Sequence, residues 1–159
     1  ASVEQVDGIS GSRHVTRHAY HDGYYDPEER EFRGFGYVES WDTVVYADLA
    51  AAAAAEPAVR LLDPRLYVPP VYTRSWYHTG VFPDAGRISR HYAGEYWNGD
   101  PGAYALPESV IDPAVYGEDA GTLRQAYVAL AGELLRQEVY GQDGTPAAAV
   151  TMRAPSAVK

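Results

Sequence analysis

The stretch that decides the fold is "HDGYYDPEEREFRGFGYVESWD", His21 to Asp42, which packs six aromatic and nine charged residues into one run. At its middle, Asp26-Pro27-Glu28-Glu29 is a turn, because proline is favoured just after a turn's first residue. Beyond it, "REFRGFGYVESWDT" reads as a strand. Strict alternation puts Phe32 and Gly34 on one face, and Phe35, Tyr37, Glu39 and Trp41 on the other. Gly34 and Gly36 mark a bulge or the close approach of another backbone. Ahead of the turn, "RHVTRHAYH" also alternates, with Val15, Arg17 and Ala19 opposite His14, Thr16, His18 and Tyr20. "HDG" at 21–23 predicts a turn of its own, since Asp-Gly supports positive backbone angles. The local pattern is that of hairpins.

Working outward, residues 3–6 form a short extended run punctuated by "GISG" at 8–11. The alanine run Ala50–Ala55 has high helix propensity with Asp48 as a cap, but Pro57 and Pro64 limit it to a short helix or a surface insert. "PPVYTRSWYHTG" at 69–80 returns to strand chemistry. "GRISRHYAGEYWNGDPG" closes in the turn-rich Asn98-Gly99-Asp100-Pro101-Gly102. The best helix follows in "DAGTLRQAYVALAG", with Leu123, Tyr127 and Leu130 at i, i+4, i+7, Asp119 or Thr122 as N-cap and Gly132 as terminator. "ELLRQEVYGQDG" alternates as a strand into a Gln-Asp-Gly turn, and "AVTMR" in the tail is one more strand. An aromatic strand ending in a polar-glycine turn recurs at "YHDG", "YHTG", "YWNGD" and "YGQDG". No fixed-period repeat accompanies it.

A chain of 159 residues fits one compact domain with a real core. Fourteen tyrosines against three phenylalanines favour walls, interfaces and sheet surfaces, where a ring is buried and its hydroxyl reaches a polar partner. The net charge of -9 argues against nucleic acid and anionic membranes. No apolar run approaches a membrane span and no signal-peptide pattern opens the sequence. Without cysteine there are no disulfides and no thiolate metal sites.

Chemical constellations are weak. His14, His18 and His21 sit close together in sequence, but His14 and His18 share a strand face roughly 13 Å apart (four residues at about 3.3 Å), too far for one metal ion, and a metal site would need a carboxylate brought in by the fold. No metal or cofactor is expected. Asp22, Asp26, Glu28, Glu29 and Glu31 surround one turn instead of facing each other across a cleft, and they alternate with Arg30 and Arg33. Exposed ion pairs at a hairpin tip, each contributing about 0–1 kcal/mol, account for them. Ser75 and Ser89 lie near His78 and His91 in sequence, but without a strained nucleophile elbow. "GFG" lies mid-strand with no helix behind it, so it is no phosphate loop. The rings Tyr24, Tyr25, Tyr37, Trp41, Tyr72, Trp76, Tyr92, Tyr96 and Trp97 suit cross-strand packing first and a stacking platform second.

The longer motifs carry a resemblance. "YHDGYYDPEEREFRGFGYVESWDT" resembles a segment of the B component of insecticidal Tc toxin complexes (TcB or TcdB type), a family that includes SpvB-like virulence proteins. "VEQVDGISGSRHVTRHAYHDGYYD", "TRSWYHTG", "RHYAGEYWNGDPGAYALP" and "AYVALAGELLRQEVYGQDG" are similar to further segments in the same order, which places nearly the whole chain in the family's middle/C-terminal region. The family motif positions are Gly23, Tyr24, Tyr25, Asp26, Arg30, Glu31, Phe32, Arg33, Gly34, Phe35, Gly36, Trp76, His78, Gly80, Gly94, Glu95, Tyr96, Trp97, Gly99 and Asp100. Asp26-Pro27 stands where the family usually has Asp-Gly. Residues 49–58 look like an insert, and the tail 146–159 lacks the family's fuller tyrosine-containing strand.

The resemblance implies a mainly β fold, with long antiparallel hairpins forming part of a curved, rearrangement-hotspot-type (RHS) cocoon sheet and one short helix near 120–131. It implies one segment over 1–159, a structural part of a secreted toxin with no catalytic residue. Its partners would be the rest of a larger B subunit, the C partner and, indirectly, the pore-forming A component. Nucleic acid and direct membrane contact are not expected, and the isolated fragment is expected to self-associate. The alternative is an aromatic-rich module that binds carbohydrate or a protein partner. A hydrolase using the acidic hairpin is the third reading.

Overall fold

A computed structural model describes residues 1–6, 13–42, 69–81, 91–99, 114, 119–142 and 150–153. The strands are β1 (Ser2–Val6), β2 (Arg13–Asp26), β3 (Glu31–Asp42), β4 (Val71–Tyr77), β5 (Leu134–Gly141) and β6 (Val150–Arg153). The helix α1 (Ala120–Val128) lies between β4 and β5 in the chain. All six strands join one sheet in the order β1-β2-β3-β4-β5-β6. Every strand therefore pairs with its neighbours in sequence, which is a meander.

β1 and β2 are antiparallel, with Glu4 opposite Val15 and Val3 opposite Thr16. A four-residue turn joins β2 to β3, too short for anything but an antiparallel pair. Across β3 and β4, Trp41 meets Tyr72 while Tyr37 meets Trp76, so those strands also run oppositely. The His78 N–H donates to the Glu133 carbonyl at one end of the β4–β5 pair, and the Gln142 N–H donates to the Pro70 carbonyl at the other. The mainly β, hairpin-built expectation holds. The insert at 49–58, the "GISG" and Gln-Asp-Gly turns, and most of the tail lie outside the described residues.

Two local expectations are corrected. "HDG" makes no turn; β2 runs through it to Asp26. Asp22 instead takes φ 54 inside the strand, an angle aspartate tolerates better than most residues, and the step is absorbed as a kink. The reversal falls at Asp26-Pro27-Glu28-Glu29 because the Asp26 side chain accepts from the N–H groups of Glu28 (3.0 Å) and Glu29 (3.2 Å). The second correction concerns faces. Strict alternation separates Phe32 from Phe35, yet their rings meet edge to face at 5.1 Å. Gly34, at φ 99, shifts the phase of β3 between them, so the pattern must be counted afresh after it.

Contacts group the chain into two units. The first comprises Ala1–Ala19, Glu39–Thr73 and Val139–Val150. Its centre is a three-strand ring ladder, with Trp41 stacked on Tyr72 at 5.3 Å and Tyr72 on Tyr140 at 5.5 Å. The Tyr72 hydroxyl donates to Glu39 Oε1, and His14 Nε2 lies 3.4 Å from Asp42 Oδ1. The second unit comprises Tyr20–Val38, Arg74–Glu138 and Thr151–Lys159. It holds the buried core of Tyr37, Trp76 and Tyr92, with Tyr96 and Leu135 packed against it.

In that second unit α1 is capped by Asp119, whose Oδ2 accepts from the Thr122 N–H at 2.9 Å, so the choice between two caps falls to Asp119. The helix ends at Ala129, and Gly132 at φ 88 turns the chain back. The Gly132 N–H then donates to the His78 carbonyl at 2.8 Å, which docks the exit of the helix beside the end of β4.

Candidate functional site

The second unit gathers most of the chemistry-bearing side chains around Trp76, which is wholly buried. Its ring stacks on Tyr37 at 5.2 Å and meets Tyr96 edge to face at 4.9 Å. Arg74 lies over the same indole at 4.8 Å, and the indole N–H donates to Glu95 Oε2 at 2.9 Å. The Tyr37 hydroxyl accepts from Arg74 Nε at 2.9 Å, and His21 stacks on that phenol ring at 5.0 Å. Glu95 and Tyr96 belong to the 91–99 segment, which starts with a helical turn at 91–93.

Beside the rings lies a buried charge group. Glu138 is wholly buried and Arg136 nearly so. Glu138 Oε1 accepts from Arg136 Nε at 2.7 Å and from the Trp97 N–H at 2.9 Å, while Oε2 faces Arg74 at 3.7 Å. The Arg136 guanidinium also covers the Tyr96 ring at 4.4 Å. Burial raises the Tyr96 phenol to about 12, so it stays protonated at any physiological pH. Both oxygens of Glu138 are engaged, and a carboxylate so held positions its neighbours. Alternation places Arg136 and Glu138 on one face of β5. "LLRQEVY" read with that in mind shows two opposite charges two residues apart inside an apolar strand, a signal the sequence reading passed over.

The hairpin tip is the second cluster. The expected exposed ion pairs are replaced by a buried acid, since Asp26 is 4% exposed. Arg124 of α1 reaches it with Nη2 2.7 Å and 2.8 Å from the two carboxylate oxygens, and also donates to Glu28. Arg33 adds contacts to Asp26 at 3.6 Å and to Glu31 at 3.3 Å. Burial pushes the Asp26 pKa up, but the Glu29 and Glu28 N–H groups and Arg124 outweigh it and hold the carboxyl below its ordinary 3.8. With the folded value depressed, the stabilisation is present above the ordinary value and is lost as pH falls through the folded one. Asp26→Asn is therefore expected to flatten the loss of Tm below about pH 4, as read from melting curves across pH. An unchanged acid limb would remove Asp26 from that role.

Gly36 shows how closely the 91–99 segment approaches. A Cβ there would lie 1.8 Å from the Tyr92 hydroxyl oxygen and 3.0 Å from Cζ. Gly36→Ala is expected to cost about 1–3 kcal/mol in urea unfolding, with partial recovery when Tyr92→Phe removes the hydroxyl. A Cβ added at Gly23 would lie 3.3 Å from the rings of both Phe32 and Phe35. Tyr24 is half-buried, while Tyr25 and Arg30 are exposed, Arg30 at φ 54 closing the turn. His78 is buried and stacks on Tyr127 at 6.3 Å; its Nδ1 accepts from the Gly80 N–H at 2.9 Å, and burial lowers its pKa. Gly94 and Gly99 are exposed, Gly99 against the Trp97 ring, and Asp100 lies outside the described residues.

The motif residues thus divide into two groups within the second unit. Trp76, Glu95, Tyr96 and Trp97 meet at the core, and Asp26, Glu31 and Arg33 meet at the tip. Arg74, Tyr92, Arg124, Arg136 and Glu138 complete those groups and were not singled out as a set from sequence.

Residues 2–80 match the family described as the insecticide toxin TcdB middle/N-terminal region. The motifs alone had suggested the middle/C-terminal region. No curated protein matches. Among solved structures, a crystal structure of TcdB2-TccC3 is 33% identical with a TM-score of 0.60, over 89% of this chain and 6% of that one. A TcdB2-TccC3-Cdc42 structure is 31% identical with a TM-score of 0.60, over 91% of this chain and 6% of that one. A Photorhabdus luminescens Tc holotoxin pore is 30% identical with a TM-score of 0.55, over 86% and 6%. The chain spans about 6% of the length of these structures' matching chains. The toxin-family pattern across the β1–β4 half and the shared fold across nearly all of the chain make it a Tc toxin B-component region.

Proposed function

We propose that this region is a non-catalytic wall segment of a secreted Tc-type toxin B subunit. With the rest of that subunit and a C partner it encloses a toxic cargo, which a pore-forming A component delivers. The observation that carries this reading is the meander sheet, in which Trp76 and Glu138 are wholly buried and spent on packing and pairing. Support comes from the neighbours, since one is TcdB2-TccC3 without its hypervariable C-terminal region and another is a holotoxin pore. An immunoblot of cell extract and culture medium with antiserum against these residues tests it. A band far larger than 17.4 kDa in the medium is expected. A single band at 17.4 kDa overturns the reading.

Cut from neighbouring wall, the sheet presents β1 as an edge with Val3 and Val6 more than half exposed. Such an edge pairs with other chains. The isolated chain is expected to elute as a dimer or larger in light-scattering chromatography, and Val3→Lys with Val6→Lys to shift it towards monomer. A clean monomer without the substitutions counts against the wall.

A protein- or carbohydrate-binding role has one observation of its own. Tyr20 and Phe35 lie 5.0 Å apart, Phe35 contacts Phe32, and all three are exposed. The buried Trp76 is excluded as a contact residue. Glycan-array or pulldown binding lost in Phe32→Ser, with folding intact, would favour that role.

A further inference from the structure

A cluster not used by the wall reading lies where β2 kinks. Asp22, His91 and Glu95 each offer a ligand atom, and these atoms lie within 4.8 Å of one another. The positive φ of Asp22 sets its place in β2, while the helical turn at 91–93 carries His91 and leads directly to Glu95. We propose that Asp22, His91 and Glu95 bind a divalent first-row transition ion, with Zn2+ as the preferred occupant.

One imidazole and two carboxylates form a mixed nitrogen and oxygen donor set suited to Zn2+; the ordinary order of divalent affinities ranks Zn2+ above Mn2+ and Fe2+ and below Cu2+, so availability and ligand type, not raw affinity, favour Zn2+. Metal–ligand bonds of about 2.0–2.2 Å need the donor atoms somewhat closer together than 4.8 Å. The exposed side chains of Asp22 and His91 have room to close that gap. Glu95 is already oriented, because its Oε2 accepts the Trp76 indole N–H. This is the outer hydrogen bond that metal-binding carboxylates use.

Charge agrees with geometry. Among the described residues, no lysine or arginine pairs with Asp22 or Glu95. A divalent cation neutralises both carboxylates. It would also pin the 91–99 segment to β2, across the point where Tyr92 covers Gly36. The proposal does not depend on the wall reading.

The test is calorimetric titration of the metal-free 159-residue chain with Zn2+, supported by visible spectroscopy with Co2+. Three variants are matched to the structure. Asp22→Asn keeps a residue that tolerates positive φ, His91→Phe keeps a ring beside Tyr92, and Glu95→Gln keeps an acceptor for Trp76. Near-ultraviolet circular dichroism of Trp76 and its neighbours checks that each variant folds. One Zn2+ per chain is expected, with a Tm that rises with Zn2+ concentration. Affinity is expected to fall by more than about 100-fold in each variant, beyond the loss usual for outer-shell changes. No binding by the unaltered chain, or binding that survives in folded His91→Phe (as it would at His14 or His18), overturns the proposal.

Discussion

Trp76→Ala is expected to lower the unfolding free energy by about 3–5 kcal/mol, the usual range for removing a buried tryptophan. In a domain of this size that corresponds to a fall in Tm of roughly 6–20 °C. The residue is wholly buried, and its loss empties the space between Tyr37 and Tyr96 and removes the platform beneath Arg74. It also leaves Glu95 Oε2 without its indole donor. Trp76→Phe retains part of the stack but not that hydrogen bond, so a smaller loss is expected. Urea unfolding followed by far-ultraviolet circular dichroism measures both. A Trp76→Ala cost below about 1 kcal/mol would mean that the core is held elsewhere.

The second large effect is expected at Glu138. Glu138→Ala leaves Arg136 buried beside the Tyr96 ring, removes the carboxylate that faces Arg74 at 3.7 Å and takes away the acceptor of the Trp97 N–H. Removing one partner of a buried ion pair costs about 3–5 kcal/mol, because the remaining charge has no compensation. The cause can be separated from simple loss of volume. Replacing both members, as Arg136→Met with Glu138→Met, removes the stranded charge and is expected to recover most of the loss. If the double variant is as unstable as Glu138→Ala, packing or the Trp97 hydrogen bond dominates instead.

The sequence displayed the sheet more plainly than the site. Period-two patterning located β2, β3 and β5, because alternation survives wherever one face is covered, and strand composition located β4. Capping chemistry located α1, because Asp119 and Thr122 act locally. Hidden from a linear reading were contacts between segments far apart in the chain. Arg124 reaches Asp26 and Trp97 reaches Glu138 across long stretches of sequence, and no spacing rule links them. Local angles misled as well. Asp22 and Gly34 both take positive φ inside strands, so one reads falsely as a turn and the other shifts the faces of Phe32 and Phe35. The cluster of Asp22, His91 and Glu95 is likewise invisible in the sequence, since Asp22 lies far along the chain from the other two.

The identity of strand order with chain order has a consequence for how the protein is made. On a ribosome, each new strand emerges after the strand it must pair with has already been synthesised. The sheet can therefore grow strand by strand in chain order, with the edge of β4 waiting for β5 until the chain has passed through α1. Long-range clasps such as Arg124 on Asp26 have to come afterwards, once the helix has left the exit tunnel, and they lock a hairpin that local pairing has already drawn.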